Sequence, residues 1–334
     1  MLEKNLTPHN EIKRFISNYA KMNGFPSVQW LIHKSGNVLS KGFVKSEEIA
    51  NNLNSVEEPF YRIYSMTKPL IAFASLIAIE QNKLCLYDPV FKYIKSFKNV
   101  KVLRPNGMME ETNRPILIED LLTHRSGMSY GFNRFCAIGQ LYANQNLIKK
   151  ASLNLKDFVE EIASYPLAFH PGSGWRYSLA TDVLARILEI IFNDSIDLIL
   201  FKEIFCQLEM LETSYSIPKN KMNRVMPICG EANLDKITEP KAFTNNFKFI
   251  NLDKFYPSDG KTVRPRGGHG LFSTVSDYQK FANMLLTGKS NSGKRLVSKN
   301  MLKFALKNRI SKNQRPMFVD VTPLEGYGWN FLGR

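Results

Sequence analysis

The run of residues 69–79 constrains the fold more than any other part of this chain. Its side chains are apolar on nearly all sides of a helix, with large ones at Leu70, Phe73 and Leu76. A helix that is apolar all round is buried, so the run predicts a helix through the centre of a domain. Pro69 fits only near the first turn of a helix, which places the helix start a few residues before it.

The tetrapeptide Ser65-Met66-Thr67-Lys68 stands at this predicted helix start. Residues three positions apart lie on one face of a helix, so the hydroxyl and the amine would be neighbours. A serine hydroxyl is a weak nucleophile until a base takes its proton, and a lysine can be that base when burial lowers its pKa. Ser65 and Lys68 are therefore candidate nucleophile and base, although Ser65 could also serve only as a helix cap.

A third candidate comes from a distant turn. Residues 169–179 combine Pro171 and Gly172 with Tyr177, which stands at the mouth of a predicted helix. A tyrosine beside an ammonium group has a lowered pKa and can act as a phenolate base. The alternative is a half-buried aromatic side chain without a chemical role.

A glycine-rich segment, Gly267-Gly268-His269-Gly270, is the fourth feature. Clustered glycines allow one backbone to approach another backbone or a ligand closely. His269 is a possible base within this segment, although a single histidine in a turn is more often structural.

Patterns typical of strands and helices predict the secondary structure of the rest of the chain. Residues 28–33 and 38–43 have strand character and flank a turn signal at 34–37, which predicts a hairpin. Helices are predicted over residues 8–22, 118–122, 155–164, 179–193, 278–286 and 302–306, and a last strand over 327–331.

Strands at both ends of the chain with helices between them predict an α+β fold. The sheet is expected to form from the two ends, with a helical lobe inserted between them. We predict one domain over residues 1–334. Its sheet lobe would span about 1–65 and 263–334, and its helical lobe about 75–262.

Composition narrows the possible partners. The 45 Lys and Arg exceed the 30 Asp and Glu, yet the cations are scattered, without the basic run expected of a nucleic-acid site. The 4 cysteines are far apart, which disfavours a zinc site and a disulfide framework and fits a reducing compartment. The N-terminus lacks a signal-peptide core, and no apolar run is long enough to span a bilayer. We therefore expect a cytoplasmic protein that uses no metal or cofactor and binds neither nucleic acid nor a membrane.

Four motifs in one order carry a family resemblance. They are Ser65-Met66-Thr67-Lys68, Leu121-Leu122-Thr123-His124-Arg125-Ser126-Gly127, Pro171-Gly172 with Trp175-Arg176-Tyr177-Ser178, and Gly267-Gly268-His269-Gly270-Leu271-Phe272-Ser273-Thr274. Together they resemble the penicillin-recognising serine hydrolases, which include class C β-lactamases, D,D-peptidases and family VIII carboxylesterases.

The resemblance covers roughly residues 10–334 and implies both a fold and a set of roles. The fold would be β-lactamase/transpeptidase-like, an antiparallel sheet flanked by helices with a mostly helical lobe. Ser65 would be the nucleophile, with Lys68 and Tyr177 as the base pair. The backbone N–H of Ser65 would be one oxyanion donor.

Leu179 is the first departure from the family pattern. The β-lactamases carry an asparagine two residues after the tyrosine, and its amide holds the side-chain amide of the lactam. Here Tyr177 is followed by Ser178 and Leu179, so an apolar group replaces a hydrogen-bond partner. This version resembles the esterase branch.

The second departure concerns the family's own third motif, which is not among the four motifs named above. Neither Lys34-Ser35-Gly36 nor the segment 261–263 fits its position and content. The segment 326–329, close to Arg334, resembles the strand that precedes the third motif in the family. Either the sequence is truncated, or this branch lacks the motif and is impaired, which would leave a non-catalytic binding protein as an alternative.

One further pattern is misleading. Residues 127–131 match the G-x-S-x-G nucleophile elbow, with Ser129 at its centre. That elbow needs a strand before it and a helix after it, whereas here a short helix precedes it. We expect His124, just upstream, to be a hydrogen-bonded structural residue.

These features predict a serine hydrolase that forms an acyl-enzyme on Ser65. Small carboxylic esters are the expected substrates. The alternatives are a β-lactamase or D-amino-acid peptidase, and a binding protein with the same fold. The sequence does not indicate an oligomeric state.

Overall fold

The computed structural model describes residues 8–22, 25–34, 37–52, 58–133, 135–147, 153–230, 248–250, 264–319 and 321–334. Its regular elements follow in chain order. They are α1 (Pro8–Met22), β1 (Ser27–Lys34), β2 (Asn37–Lys45), α2 (Glu47–Asn52), β3 (Tyr61–Arg62), α3 (Thr67–Glu80), β4 (Lys101–Leu103), β5 (Met109–Glu111), α4 (Ile118–Leu122), α5 (Ala137–Asn144), α6 (Leu155–Ala163), α7 (Ala180–Phe192), α8 (Ile196–Leu200), α9 (Cys206–Leu208), β6 (Ile228–Gly230), β7 (Lys248–Ile250), β8 (Phe272–Ser273), α10 (Val275–Thr287), α11 (Lys299–Ala305), β9 (Met317–Val319) and β10 (Thr322–Leu324).

Helix α3 confirms the predicted central helix. All residues from Leu70 to Ala78 are buried, and α7 and α8 pack along this helix. The hydroxyl of Ser75, the polar side chain within that stretch, donates to the carbonyl oxygen of Ile71 at 3.0 Å. The helix can therefore be enclosed on all sides without leaving this hydroxyl unsatisfied.

The other predicted helices are found within three residues of their expected ends. Helix α10 is capped at its start by Thr274, whose Oγ1 accepts a hydrogen bond from the N–H of Asp277. Such a cap satisfies one of the free N–H groups in the first turn. Helix α7 is amphipathic and turns its apolar face toward α3, α4 and α6.

Antiparallel pairing confirms the α+β class. Strands β1 and β2 form the predicted hairpin. Strand β3 pairs with β8, with Tyr61 opposite Ser273, and the N–H of Ile63 then donates to the oxygen of Leu271 at 3.0 Å. This pairing holds the segment before Ser65 against the end of the glycine-rich segment.

The predicted strand over residues 327–331 is wrong. The backbone of this segment bonds to helix α11 and the loop after it: Arg309 donates to the oxygen of Trp329, and Phe331 donates to that of Ala305. The ring of Phe331 packs edge-on against Phe304, with centroids 5.7 Å apart. Local strand character is overridden here because aromatic packing and α11 offer better partners.

The expected sheet from both chain ends is much smaller within the described residues. There the strands pair in twos, and the pairing of β3 with β8 is the one that joins the two ends. The proposed boundaries of the two lobes remain a prediction.

All four cysteines are free thiols. In the part of the chain that the structure describes, no helix is both long and apolar enough to cross a bilayer.

Replacing Leu76 by alanine tests the central position of α3. Leu76 is 0% exposed, so Leu76→Ala should lower the free energy of unfolding by about 2–5 kcal/mol through lost burial and a cavity. Leu286 of α10 is 85% exposed, and Leu286→Ala is the matched control, expected within about 0.5 kcal/mol of the wild type. Urea unfolding followed by circular dichroism measures both, and equal midpoints for the two variants would contradict the burial of α3.

Candidate active site

Ser65 lies in a tight turn directly before α3. A single 3₁₀ turn, Tyr64–Met66, links β3 to the helix, and Tyr64 adopts a φ of +44°. A tyrosine in this left-handed region is strained and persists only where surrounding structure holds it. The hydroxyl of Tyr278 from α10 donates to the oxygen of Met66 at 2.9 Å and fixes the other side of the turn. Ser65 itself is exposed.

Lys68 places its amine directly beside the Ser65 hydroxyl. Its Nζ donates to Oγ of Ser65 at 3.2 Å and to the backbone oxygen of Gly268 at 2.7 Å. The side chain is only 7% exposed, and this burial lowers the pKa of Lys68 to about 8, against the opposing effect of Asp182. Neutral amine is therefore available close to neutral pH, as a general base requires.

Tyr177 reaches the same point from the turn before α7. Its ring centroid lies 4.8 Å from Nζ of Lys68, and its hydroxyl is hydrogen-bonded to the Ser65 side chain. Burial raises the pKa of Tyr177, and this effect exceeds the lowering by the Ser65 hydrogen bond and by Arg334. The lowered pKa that we expected for this phenol is wrong, because burial disfavours the phenolate more than nearby groups favour it.

The glycine-rich segment lies close against the start of α7. A Cβ on Gly267 would be 2.1 Å from the backbone oxygen of Thr181, and one on Gly268 would be 2.7 Å from Oδ2 of Asp182. The predicted close backbone approach is thus found. Burial lowers the pKa of His269 to about 4, so this histidine is neutral over the physiological range.

Sequence reasoning missed Asp182 and Tyr130. Asp182 is 1% exposed, and its Oδ1 accepts a hydrogen bond from the N–H of Gly268 at 3.0 Å. Tyr130 is buried, and its ring centroid lies 5.2 Å from Nζ of Lys68. An acidic residue on the buried face of a predicted amphipathic helix was the signal for Asp182. Tyr130 carried no such signal.

Trp329 was missed as well. Its ring packs against His124 at 5.1 Å, Trp175 at 5.3 Å and Tyr177 at 6.0 Å between centroids. It also lines a small cavity beside Lys68. Aromatic rings therefore surround the phenol and the amine, which lowers the local polarity around both.

The G-x-S-x-G pattern does not form a nucleophile elbow. Ser129 is 0% exposed, and its Oγ accepts a hydrogen bond from the side-chain amide of Asn133 at 3.1 Å. His124 is buried, and its Nδ1 lies 3.1 Å from Oγ of Ser178, as expected for a structural residue. Burial holds the pKa of His124 well below its usual value.

The structure describes Leu179 and part of the segments that were compared with the third motif. Leu179 is buried in the main core, so its side chain is a packing group rather than a hydrogen-bond partner. Of the segments compared with the third motif, Lys34 ends β1 and 326–329 forms the loop described above. Residues 35, 36 and 261–263 lie outside the described residues.

The site therefore joins a hydroxyl, an amine with a lowered pKa and a phenol. The tertiary structure brings together all three candidate residues, although Tyr177 is more than 100 positions from the other two in the sequence. Among the described residues, no group of three His, Cys, Asp or Glu side chains is arranged to hold a metal ion. What the arrangement can do is move a proton between Ser65 and its two neighbours.

This chain is similar to several known proteins. Protein Rv1367c of Mycobacterium tuberculosis (strain ATCC 25618 / H37Rv) is 25% identical over 324 residues, covering 93% of this chain and 74% of the relative. Esterase EstB of Burkholderia gladioli is 34% identical over 139 residues, covering 40% of this chain and 32% of the relative. The solved structure of EstCE1, a hydrolase with promiscuous acyltransferase activity, has a TM-score of 0.76 at 22% identity, covering 96% of this chain and 81% of that chain.

The likeness to EstCE1 confirms the β-lactamase/transpeptidase-like fold. A family model described as Beta-lactamase matches residues 12–333, nearly the whole chain. This protein therefore belongs to the Beta-lactamase family of penicillin-recognising serine hydrolases.

Proposed function

We propose that this protein hydrolyses small carboxylic esters through an acyl-enzyme on Ser65. One observation carries the proposal: the Ser65 hydroxyl contacts both a buried amine, at 3.2 Å, and a phenol. This contact supplies a base for the hydroxyl proton and an acid for the departing alkoxide. The proposed substrate is a small-molecule ester, with neither nucleic acid nor a membrane as partner.

The proposed reaction uses the two neighbours of Ser65 in turn. Neutral Lys68 accepts the hydroxyl proton as Oγ attacks the ester carbonyl carbon, and the backbone N–H of Ser65 supports the oxyanion. Tyr177, a protonated phenol, gives its proton to the departing alkoxide and regains one from the Lys68 ammonium. Water then attacks the ester of Ser65 by the same route in reverse, which restores the hydroxyl and releases the acid.

Esters are favoured over lactams and peptides for a specific reason. Leu179 is buried in the core and offers no amide to hold the side-chain amide of a lactam. A site without this partner loses discrimination for amide substrates but not for simple esters. The name of Esterase EstB supports the same choice.

Labelling by a fluorophosphonate probe tests the nucleophile. Wild-type protein should gain one adduct by intact mass, Ser65→Ala should gain none, and Ser129→Ala should label like the wild type. Ser129 is the matched control because it belongs to the competing G-x-S-x-G pattern and is fully buried. Absence of any adduct on a folded wild-type protein would favour the binding-protein alternative.

The pH dependence of ester hydrolysis tests the base. Lys68 must lose its proton to accept one from Ser65, and its pKa is lowered to about 8. The value of kcat/KM for p-nitrophenyl butyrate should therefore fall about tenfold per pH unit below that pKa and level off above it. Lys68→Met should keep the circular dichroism spectrum of the wild type. It should lose the ester hydrolysis and, with it, the pH dependence of kcat/KM. A profile that is flat from pH 6 to 9 would rule Lys68 out as the base.

Substrate comparison tests the ester assignment. Turnover of p-nitrophenyl butyrate should exceed that of nitrocefin and of a D-alanyl p-nitroanilide by at least about 100-fold in kcat/KM, since the site has no partner for their amides. The spectrophotometric rates are measured on one protein preparation, with Ser65→Ala as the blank. Faster opening of nitrocefin would move the assignment to the lactamase alternative.

A further inference from the structure

We propose that Asp182 is a positioning residue of this site, whose buried carboxylate holds Gly268 against Lys68 and places a negative charge behind the amine. The inference rests on the proposed function, since it concerns the same acyl-transfer site. It adds a residue that lies outside all four sequence motifs.

One chain of contacts links Asp182 to the amine. Oδ1 of Asp182 accepts a hydrogen bond from the N–H of Gly268 at 3.0 Å, and the oxygen of Gly268 accepts one from Nζ of Lys68 at 2.7 Å. The backbone N–H of Gly268 thus bonds to the carboxylate, and its backbone oxygen bonds to the amine. Asp182 stands in the first turn of α7, where the helix dipole also favours an anion.

The second carboxylate oxygen and the amine lie on the same side of Gly268. A Cβ built on Gly268 would lie 2.7 Å from Oδ2 of Asp182, 2.8 Å from the hydroxyl of Tyr130 and 3.4 Å from Nζ of Lys68. These three polar atoms therefore surround one point above the glycine. A glycine is needed there because any side chain would displace all three.

Oδ2 is buried and has no hydrogen-bond partner among the described residues. A buried carboxylate that is not fully hydrogen-bonded is expensive, so fold stability alone gives a poor reason for its presence. A nearby cation offsets that cost, and Lys68 is such a cation whenever it carries a proton. The charge of Asp182 then acts at the moment when the amine has accepted the proton of Ser65.

The other groups around Lys68 do not supply this charge. Burial holds the pKa of His124 and His269 low, so both imidazoles are neutral. Burial also raises the pKa of Tyr130 and Tyr177, so both phenols keep their protons. Among the described residues, the cations of Arg266 and Arg334 also act on groups around Lys68, but a cation cannot stabilise an ammonium. Among the described residues, Asp182 is the carboxylate whose charge acts on Lys68.

Asp182→Asn tests the proposal because the amide keeps an acceptor for Gly268 and removes the charge. The probe is the rate at which a fluorophosphonate labels Ser65, measured by intact mass from pH 5.5 to 9.5. Without the anion the ammonium of Lys68 is less stable. The midpoint, the pH at which the labelling rate falls to half of its plateau, should therefore move down by about one pH unit. The plateau rate should also fall at least about tenfold.

Two variants serve as controls. Asp197→Asn removes a carboxylate from the first turn of α8, where it is exposed, and should leave both midpoint and plateau unchanged. Asp182→Glu keeps the charge, so its midpoint should stay near that of the wild type even if its plateau falls. Circular dichroism melting identifies any variant that does not fold, and Asp182→Ser, smaller and neutral, would then replace Asp182→Asn.

The outcomes separate this inference from the proposed function. An unmoved midpoint in folded Asp182→Asn overturns the role of Asp182, whether or not the plateau falls, because a purely structural residue would change only the plateau. Labelling of Ser65 without turnover of any ester overturns the proposed function and leaves the test of Asp182 intact.

Discussion

A lysine amine enclosed in an apolar interior is the interaction on which the rest of this structure depends. The amine lies at the start of a helix whose residues 70–78 are all buried, and among the described residues its hydrogen bonds go to a serine hydroxyl and one backbone oxygen. Water would hold such an amine protonated, whereas burial brings its pKa to about 8. The helix that builds the core therefore also supplies the base of the proposed mechanism, because burial within it lowers the pKa of this amine.

Close packing of the backbone is the second feature on which the arrangement of the site depends. The pairing of β3 with β8 fixes the turn that carries Ser65, and the glycines that precede β8 let this segment lie against α7. A side chain at Gly268 would separate the amine from the carboxylate of Asp182. The arrangement around Ser65 thus depends on close contact between Gly267, Gly268 and the start of α7.

Much of the fold could be read from the sequence because its signals are local. The apolar run of α3 and the hairpin signal between β1 and β2 each act within a few residues, and the helix and the strand pairing were found as predicted. The strand expected over 327–331 was not found, because its backbone and rings have partners in α11 and in the aromatic cluster around Tyr177. Such partners lie far away in the sequence and leave no local pattern.

The sequence by itself determined the helix, the spacing of Ser65 and Lys68, and the order of the four motifs, since each depends on neighbours along the chain. The tertiary structure alone decided that Tyr177 stays a protonated phenol, that Asp182 and Tyr130 stand behind the amine, and that Ser129 is buried. The physical reason is that pKa values and burial depend on everything within a few ångströms in space. Most of that surrounding comes from segments that lie far apart along the chain.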